Sequence, residues 1–493
     1  MPQAEEARVV AVFRVAPEAD VRPQVRELVR EVLDGLDASK DVVIRTERAA
    51  ACAVVQARMG DAKEARQTFR QAREYISNKE NLAKVTQIRV ANAMSQLARS
   101  CADAGEVEEL HEVLKALPDP EKNYRGTIED FRRSVAQGCV TALAKAGKSK
   151  EALALAKEIT ADSGPEASRI KPEAVKTEVL REIALYHARA GDLKEAWKAL
   201  DSIPDAASKV QTMAGTVFFG SFELPSEPGI AMIQDQAGDR DGAGQTLKQA
   251  LELVLDIDNP DGRTRMQASI ACSQARIGDL AGAQKTLEQI PKESKSYLLA
   301  LVAVARAQAA GDQAKEALEA VDKLTTPSER INGLCQIIYG QGQAGVGKAA
   351  RSTGEKALAL ALSLPEQERR SVRHYLAQAR ATAKDIEGAL ETVSKLTSGL
   401  DDAVLTYSNI AMVQVRGSDI KGALNTLEEH IPKDGFWHNR SLAAIASAQA
   451  ERGQDKEALA WVRKLTDSDT QADCLLGVAN GLLLANKVGI RRP

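Results

Sequence analysis

Residues 179–204 read VLREIALYHARAGDLKEAWKALDSIP, and the Gly191-Asp192 pair in the middle separates two stretches with apolar residues at helical spacing. A glycine just past a helix can take the left-handed conformation that closes the last turn. The aspartate after it can accept hydrogen bonds from the first amides of the next helix. This stretch therefore predicts two antiparallel helices joined by a tight turn.

The same turn recurs along the chain at intervals of 33 residues (Gly278 to Gly311) to 47 residues (Gly191 to Gly238). A repeat of this length is typical of stacked helix hairpins. We therefore predict an all-α fold, an α-solenoid of about eleven hairpins. The clear turns are Gly60-Asp61, Gly191-Asp192, Gly238-Asp239, Gly278-Asp279 and Gly311-Asp312, and the degraded ones are Gly105-Glu106, Gly147-Lys148, Gly345-Val346, Lys384-Asp385, Ser418-Asp419 and Gly453-Gln454.

Small residues keep a fixed distance from these turns, which predicts close helix crossings where larger side chains would push the helices apart. Asp61 and Asp192 are each followed three residues later by glutamate, which resembles a capping box. Several second helices end at a proline. Alanines lie five residues after the turn at Ala65, Ala152, Ala196, Ala243, Ala283, Ala350, Ala389, Ala423 and Ala458, others lie seven before it at Ala53, Ala184, Ala231, Ala271, Ala411 and Ala446, and the closing prolines are Pro118, Pro204, Pro291, Pro365 and Pro432.

Together these features resemble the tetratricopeptide-repeat (TPR) family over roughly residues 40 to 485. The resemblance implies a TPR-like superhelix whose concave face binds proteins or peptides. The chain departs from that family because Ala, Leu, Ile or Gln mostly fill its bulky aromatic positions, and the early repeats are longer than 40 residues. The resemblance is specific for architecture and unspecific for function.

A break divides the predicted array, because residues 215–229 contain three glycines and two prolines where the first helix of the fifth hairpin is expected. Before the first hairpin, Val9 to Val15 is expected as a short strand and Val25 to Leu36 as a capping helix. The predicted division is an N-terminal cap (1–40), long-repeat hairpins (41–214), an irregular insertion (215–229), short-repeat hairpins (230–471) and a C-terminal capping helix with its tail (472–493).

The charge balance is nearly even, with 66 basic and 69 acidic residues. A phosphate-backbone binder usually has a basic excess, so we expect no nucleic acid partner. The apolar run from Val9 to Phe13 is too short to span a membrane. A cytoplasmic location is expected, while an exported form from which a leader was removed stays open.

No catalytic, metal or cofactor site is predicted. The six cysteines contain no Cys-x-x-Cys pair, which favours free thiols in the core. The five histidines are scattered without metal-ligand spacing. The segment Gly342 to Lys348 matches a phosphate-binding loop at both glycines and the lysine, but Ala349 stands where that loop needs a hydroxyl. Its phase in the repeat predicts a hairpin turn instead.

Cations recur two residues before the turn, where the family resemblance implies a position on the concave face. Such a ladder would favour an acidic peptide, although a cation at a helix C-terminus also interacts well with the helix dipole. Glutamines recur four residues before the turn. They could hydrogen-bond neighbouring hairpins or a bound peptide, and shared ancestry of the repeats explains their recurrence equally well. The cations are Arg58, Lys145, Arg189, Arg276 and Arg416, and the glutamines are Gln56, Gln234, Gln274, Gln341, Gln414 and Gln449.

Phe218, Phe219 and Phe222 form an aromatic cluster in the insertion, which is either an exposed contact patch or a plug for the broken helix. The hypothesis from the sequence is a non-catalytic scaffold or adaptor that holds a protein or peptide along the concave face. The alternatives are a structural protein that self-associates through this region or through the array ends, a nucleotide-binding protein or enzyme using Gly342 to Lys348, and a helical-repeat RNA binder.

Substitution of Ala196 by tryptophan tests the pairing of helices. Overpacking at a close crossing should lower the free energy of unfolding by about 3 kcal/mol. Denaturant unfolding followed by circular dichroism measures this change. Unfolding like that of the unsubstituted protein would contradict the predicted pairing.

Overall fold

The computed structural model describes residues 20–78, 85–117, 128–161, 172–216, 227–311, 313–397, 403–433 and 436–486. Within these ranges the chain forms 25 α-helices, two short 3-10 helices and one strand pair, in which β1 (Gly215–Thr216) runs antiparallel to β2 (Glu227–Pro228). The helices are α1 Arg22–Asp34, α2 Val42–Met59, α3 Ala62–Ser77, α4 Gln87–Ala104, α5 Val107–Lys115, α6 Ile128–Lys145, α7 Ser149–Ala161, α8 Pro172–Arg189, α9 Leu193–Asp201, α10 Ala206–Ala214, α11 Ile230–Gln236, α12 Arg240–Leu253, α13 Pro260–Arg276, α14 Leu280–Glu288, α15 Lys295–Ala310, α16 Ala314–Asp322, α17 Pro327–Gln343, α18 Gly347–Leu362, α19 Glu366–Thr382, α20 Ile386–Leu396, α21 Val404–Arg416, α22 Ile420–His430, α23 Phe436–Glu451, α24 Asp455–Val462 and α25 Ser468–Ala485.

Each predicted turn joins the first and second helix of a hairpin, which confirms the all-α solenoid. The turn residue has a left-handed backbone in every hairpin except at Gly311, where φ is −97°. Glycine has no Cβ that would disfavour this conformation. Two residues with a Cβ, Lys384 (φ 65°) and Ser418 (φ 68°), adopt it as well. The left-handed glycines at the turns are Gly60, Gly105, Gly147, Gly191, Gly238, Gly278, Gly345 and Gly453.

Four of the six recurring glutamines bond within their own hairpins through Oε1. Oε1 of Gln414 accepts a hydrogen bond from the Thr426 hydroxyl at 2.8 Å, and its Nε2 donates to Asp419 at 3.1 Å. Asp419 in turn accepts from the amide of Gly422 and caps α22. In these hairpins the glutamine ties the first helix to its own second helix, whereas Oε1 of Gln56 and of Gln341 has no hydrogen-bond partner. Equivalent glutamine–threonine bonds join Gln234 to Thr246 at 2.6 Å and Gln274 to Thr286 at 2.8 Å.

The alanines predicted at close crossings are buried. All nine that follow the turn by five residues have at most 1% of their surface exposed, and all six that precede it by seven have 0% exposed. The six cysteines are free and buried, and burial raises the pKa of Cys272 and Cys335 to about 12. The core is therefore filled by small and aliphatic side chains, as the scarcity of aromatic residues predicts.

First helices lie on the inner side of the array. Consecutive first helices contact each other along the described chain, whereas direct contact between consecutive second helices is sparse. Elements nearer the centre of curvature approach each other more closely. The second helices therefore form the outer, convex layer.

The first helix of the fifth hairpin is divided into α10 and α11, with β1 and β2 between them. The backbone passes itself so closely here that a Cβ on Gly229 would lie 2.3 Å from the Gly215 nitrogen. Arg181 on α8 holds the returning strand through a 2.8 Å bond to Glu227. The helix is therefore interrupted between Ala214 and Ile230, while the predicted division of the chain into an insertion and long-repeat and short-repeat parts remains a prediction.

The first and last described helices meet. The sequence predicts separate caps at 1–40 and 472–493, but α1 packs against α25 and α2, and α25 also contacts α2. Val25, Val29 and Val32 of α1 share one apolar core with Leu475 and other residues of α25. Helix α1 thereby serves as the second helix of a twelfth hairpin whose first helix is α25. The array is therefore closed within the described chain.

We call the contact of α25 with α1 and α2 the closing seam. Arg48 of α2 is 6% exposed and binds Asp473 Oδ1 at 2.8 Å, the Asp469 carbonyl oxygen at 2.7 Å and the Asp469 carboxylate. At the same seam Arg58 of α2 bonds Asn480 of α25 at 2.9 Å. Beside the seam, α1 also contacts the α24 segment, through Gln24 with Asp455 at 2.9 Å and Glu31 with Arg463 at 3.3 Å.

Asp61 differs from the predicted cap. Its carboxylate makes no capping bond to α3 and instead accepts two bonds of 2.7 Å from Arg26 of α1. Asp192 does cap its helix, through the Glu195 amide at 3.2 Å. The predicted capping role thus holds at Asp192 and is wrong at Asp61, because α1 supplies a competing guanidinium.

Gly60 and Gly244 provide a matched test of the turn. An added Cβ would meet nothing within 4 Å at either position, but Gly60 has φ +89° and Gly244 lies inside α12. Gly60→Ala should therefore lower the free energy of unfolding by about 1 kcal/mol. Gly244→Ala should raise it by about 0.5–1 kcal/mol, because alanine favours a helix. Urea unfolding measures both, and equal effects at the two sites would contradict the left-handed requirement.

The Arg26–Asp61 pair makes an acid-dependent contribution to stability. The hydrogen bond from Arg26 holds the pKa of Asp61 below its usual value. A carboxyl with a depressed folded pKa stabilises the fold fully above its unfolded value of about 3.9 and loses that effect as the pH falls through the folded pKa. Urea unfolding between about pH 5 and pH 3 should therefore show a smaller loss of stability for Asp61→Asn than for the unsubstituted protein. Parallel pH profiles would contradict the ion pair.

A basic cavity where six hairpins converge

One cavity of about 810 Å³ lies at the turn end of the first helices, on the inner side of the array. Hairpins five to ten all contribute to it, and β2 reaches its edge through Pro228. Its volume is within the range of about 300–1,000 Å³ that is typical of ligand pockets. The lining residues are Pro228, Gln236, Arg276, Arg306, Tyr339, Ala381, Thr382, Lys384, Ile386, Val413, Gln414, Arg416, Gly417 and Asp419.

The lining carries four cations, Arg276, Arg306, Lys384 and Arg416, and one carboxylate, Asp419. Each cation comes from a different hairpin. Asp419 already accepts the Gly422 amide at 2.9 Å and the Gln414 amide at 3.1 Å, so it caps a helix. The cavity therefore has a positive potential that favours an anionic group.

Arg306 and Tyr339 form an aromatic wall of the cavity. The guanidinium carbon of Arg306 lies 5.1 Å from the centre of the Tyr339 ring, in the geometry of a cation–π contact. Tyr339 is 5% exposed, so its ring is held in place by packing. The cation–π contact keeps the Arg306 guanidinium beside this ring. A planar, oriented guanidinium suits bidentate recognition of a carboxylate or a phosphate.

Two strained turn residues border the same cavity. Lys384 lines it, and Ser418 stands between Gly417 and Asp419, which both line it. Both have left-handed backbones, which cost a non-glycine residue roughly 1–2 kcal/mol. The Ser418 hydroxyl accepts a 3.1 Å bond from Arg452, and Lys384 adds a cation. Strained residues of this kind are typical of functional sites.

The five predicted cations do not form one continuous ladder. Arg276 and Arg416 line the cavity, whereas Arg58 bonds Asn480 at the closing seam. Lys145 lies 3.9 Å from the buried carboxylate of Glu182, and Arg189 is exposed at the end of α8.

An acid also occupies the ladder position. Asp103 lies two residues before its turn, and burial raises its pKa while nearby Arg58 and Lys145 act in the opposite direction. The N-terminal part of the ladder is therefore compensated within the protein. The sequence analysis did not identify Arg306 and Lys384, because neither lies two residues before a turn as the other cations do.

The remaining sequence candidates have plain structural roles or lie outside the described residues. Gly342 lies in the last turn of α17, Gly345 has a left-handed backbone in the hairpin turn, and Gly347 begins α18. The residues 331–339, which would have to be a strand, are helical. Phe218, Phe219 and Phe222 lie outside the described residues. Within the described ranges, no cluster of His, Cys, Asp and Glu has metal-binding geometry, and no helix has the length and apolar character needed to cross a membrane.

Comparison with known proteins finds no matching family model and no matching curated protein. Similar solved structures include the pentatricopeptide repeat protein PPR10 from maize, with 15% identity over 94% of this chain and 73% of that chain at a TM-score of 0.26. Yeast Tom70 has 14% identity over 96% and 97% of the two chains at 0.18, and a circular tandem repeat protein has 12% over 95% and 98% at 0.18.

Scores this low identify no partner, and they give no support to the expectation that nucleic acids are excluded. The architecture is established by the hairpins themselves, with their left-handed turns and buried alanines. The chain is therefore an all-α helical-repeat protein.

Proposed function

We propose that this protein is a non-catalytic binding scaffold that holds an acidic peptide segment of a partner protein in the basic cavity. The observation that carries the proposal is the convergence of Arg276, Arg306, Lys384 and Arg416 on one cavity whose own carboxylate already caps a helix. An acidic segment would place carboxylates against these cations, and the Tyr339 wall would contact its aliphatic or aromatic side chains.

The fold supplies rigidity for such a site. Each cation stands at or near the end of a first helix whose hairpin is tied by its turn and, in the tenth hairpin, by the Gln414–Thr426–Asp419 bonds. Preorganised groups lose less conformational entropy when a ligand binds. Long-range attraction by the positive cavity would also accelerate encounter with an acidic partner.

A fluorescein-labelled oligoglutamate peptide tests the proposal by fluorescence anisotropy. The unsubstituted protein should bind it with an affinity that falls as salt is added, because screening weakens the attraction. Arg276→Glu with Arg416→Glu should weaken binding at least about tenfold, since two attractive contacts become repulsive.

The matched control is Lys63→Glu with Lys248→Glu, which changes the net charge equally at exposed positions on α3 and α12, outside the cavity. Arg189→Glu separates the cavity from the wider ladder and should leave binding nearly unchanged. Equal losses in the control would assign binding to overall charge and reject the cavity. Tighter binding of a single-stranded oligonucleotide than of the peptide would reject a peptide as the partner class.

A further inference from the structure

The closing seam differs from the hairpins in its connectivity. In the eleven covalent hairpins, a turn of a few residues joins the two helices, whereas α25 and α1 stand at opposite ends of the chain. The hydrogen bonds of the seam accordingly join residues more than 420 positions apart, as in Arg48 with Asp473. No covalent link within the twelfth hairpin requires its two helices to come from the same molecule.

Arg48 places a buried cation at a position that is uncharged in the other described hairpins. It lies twelve residues before its turn, and none of the described residues at that position in other hairpins is charged. Its guanidinium is buried against Asp469 and Asp473 of α25. Burying it without these partners would be costly. The equivalent residues elsewhere are Ala93, Val135, Val179, Met266, Leu299, Gly333, Val372, Thr406 and Ser441.

This charge pattern selects the partner of each end. No described first helix other than α2 has a cation twelve residues before its turn, the position from which Arg48 binds Asp469 and Asp473. Buried polar groups of this kind are best known for specifying register and pairing. The surface on α1 and α2 therefore fits α25 of this sequence, whether it belongs to the same chain or to another copy.

When the seam opens, part of the lost free energy can be regained by a new helix cap at Asp61. In five other turns the aspartate accepts an amide of its second helix, as Asp279 does from Gly282 at 2.9 Å. Asp61 is engaged by Arg26 instead, and Oε1 of Gln56 has no hydrogen-bond partner. Once α1 departs, Asp61 can cap α3 as its counterparts do. That cap offsets part of the free energy lost on opening.

We propose that the closing seam is also an interaction surface between two copies of this chain. Opened chains pair head to tail, with α25 of each against α1 and α2 of the other, and Arg48 of one copy binds Asp469 and Asp473 of the other. The contacts are those seen within one chain, so exchange of this kind needs no new surface.

Charge reversal on the two sides of the seam tests the proposal with full-length chains. One variant carries Arg48→Glu, and the other carries Asp469→Lys with Asp473→Lys. Each places like charges at its own seam, so each should open and show a larger hydrodynamic radius at the mass of one chain, 52.9 kDa. An equimolar mixture restores opposite charges at both seams only between chains, and light scattering should give twice that mass.

The control combines all three substitutions in one chain, which restores opposite charges within the seam and should give a closed monomer. Far-ultraviolet circular dichroism verifies that each variant keeps its helices. A mixture that remains at the mass of one chain would overturn the proposal. Variants that stay closed, or that oligomerise alone, would also overturn it, because the Arg48 pairing would then not control the seam.

The unsubstituted chain provides a second measurement that needs no variant. Refolding from denaturant at high protein concentration should yield a two-chain species, since the ends of different chains then meet before each chain closes. Refolding at low concentration should yield monomer alone. Monomer at both concentrations would count against exchange at the seam.

Discussion

A helix hairpin in this chain has an apolar face that only another hairpin can cover. Inside the array, the preceding and following hairpins do so, and alanines with no exposed surface set how closely they approach. At the ends this solution fails, because an open array leaves two apolar faces in water. Here the ends cover each other, since α1 completes the hairpin begun by α25, and Val25, Val29 and Val32 are buried in the shared core.

Closure also accounts for the buried ion pairs between the two terminal surfaces. Internal hairpins are held in order by their covalent connections, whether or not ion pairs such as Arg73 with Glu109 also join them. The ends have no such connection, and an apolar surface alone would fit several neighbours. The buried Arg48 with Asp469 and Asp473 makes one pairing favourable and leaves a buried charge in any other.

The cavity arises from the same curvature. The inner ends of six hairpins converge, and cations far apart in sequence, such as Arg276 and Arg416, come to line a single space. Several like charges together are unfavourable for the folded chain by themselves. Lys384 and Ser418 add backbone strain at the same place. Departures from the repeat pattern are thus concentrated where a ligand would bind or where the ends meet.

Residue type and spacing alone predict the local units: the turns at Gly60 and Gly191, the close crossing at Ala196, and the hairpin turn within Gly342 to Lys348. These features depend on residues within one hairpin, so spacing and residue type were enough to predict them. Contacts between distant parts of the chain set the rest. They bring α1 against α25 and Asp61 against Arg26. They also place Arg306 and Lys384 with Arg276 at one cavity, away from Arg58 and Arg189. These outcomes depend on small rotations accumulated over every interface between hairpins, and no short segment of the sequence contains that sum.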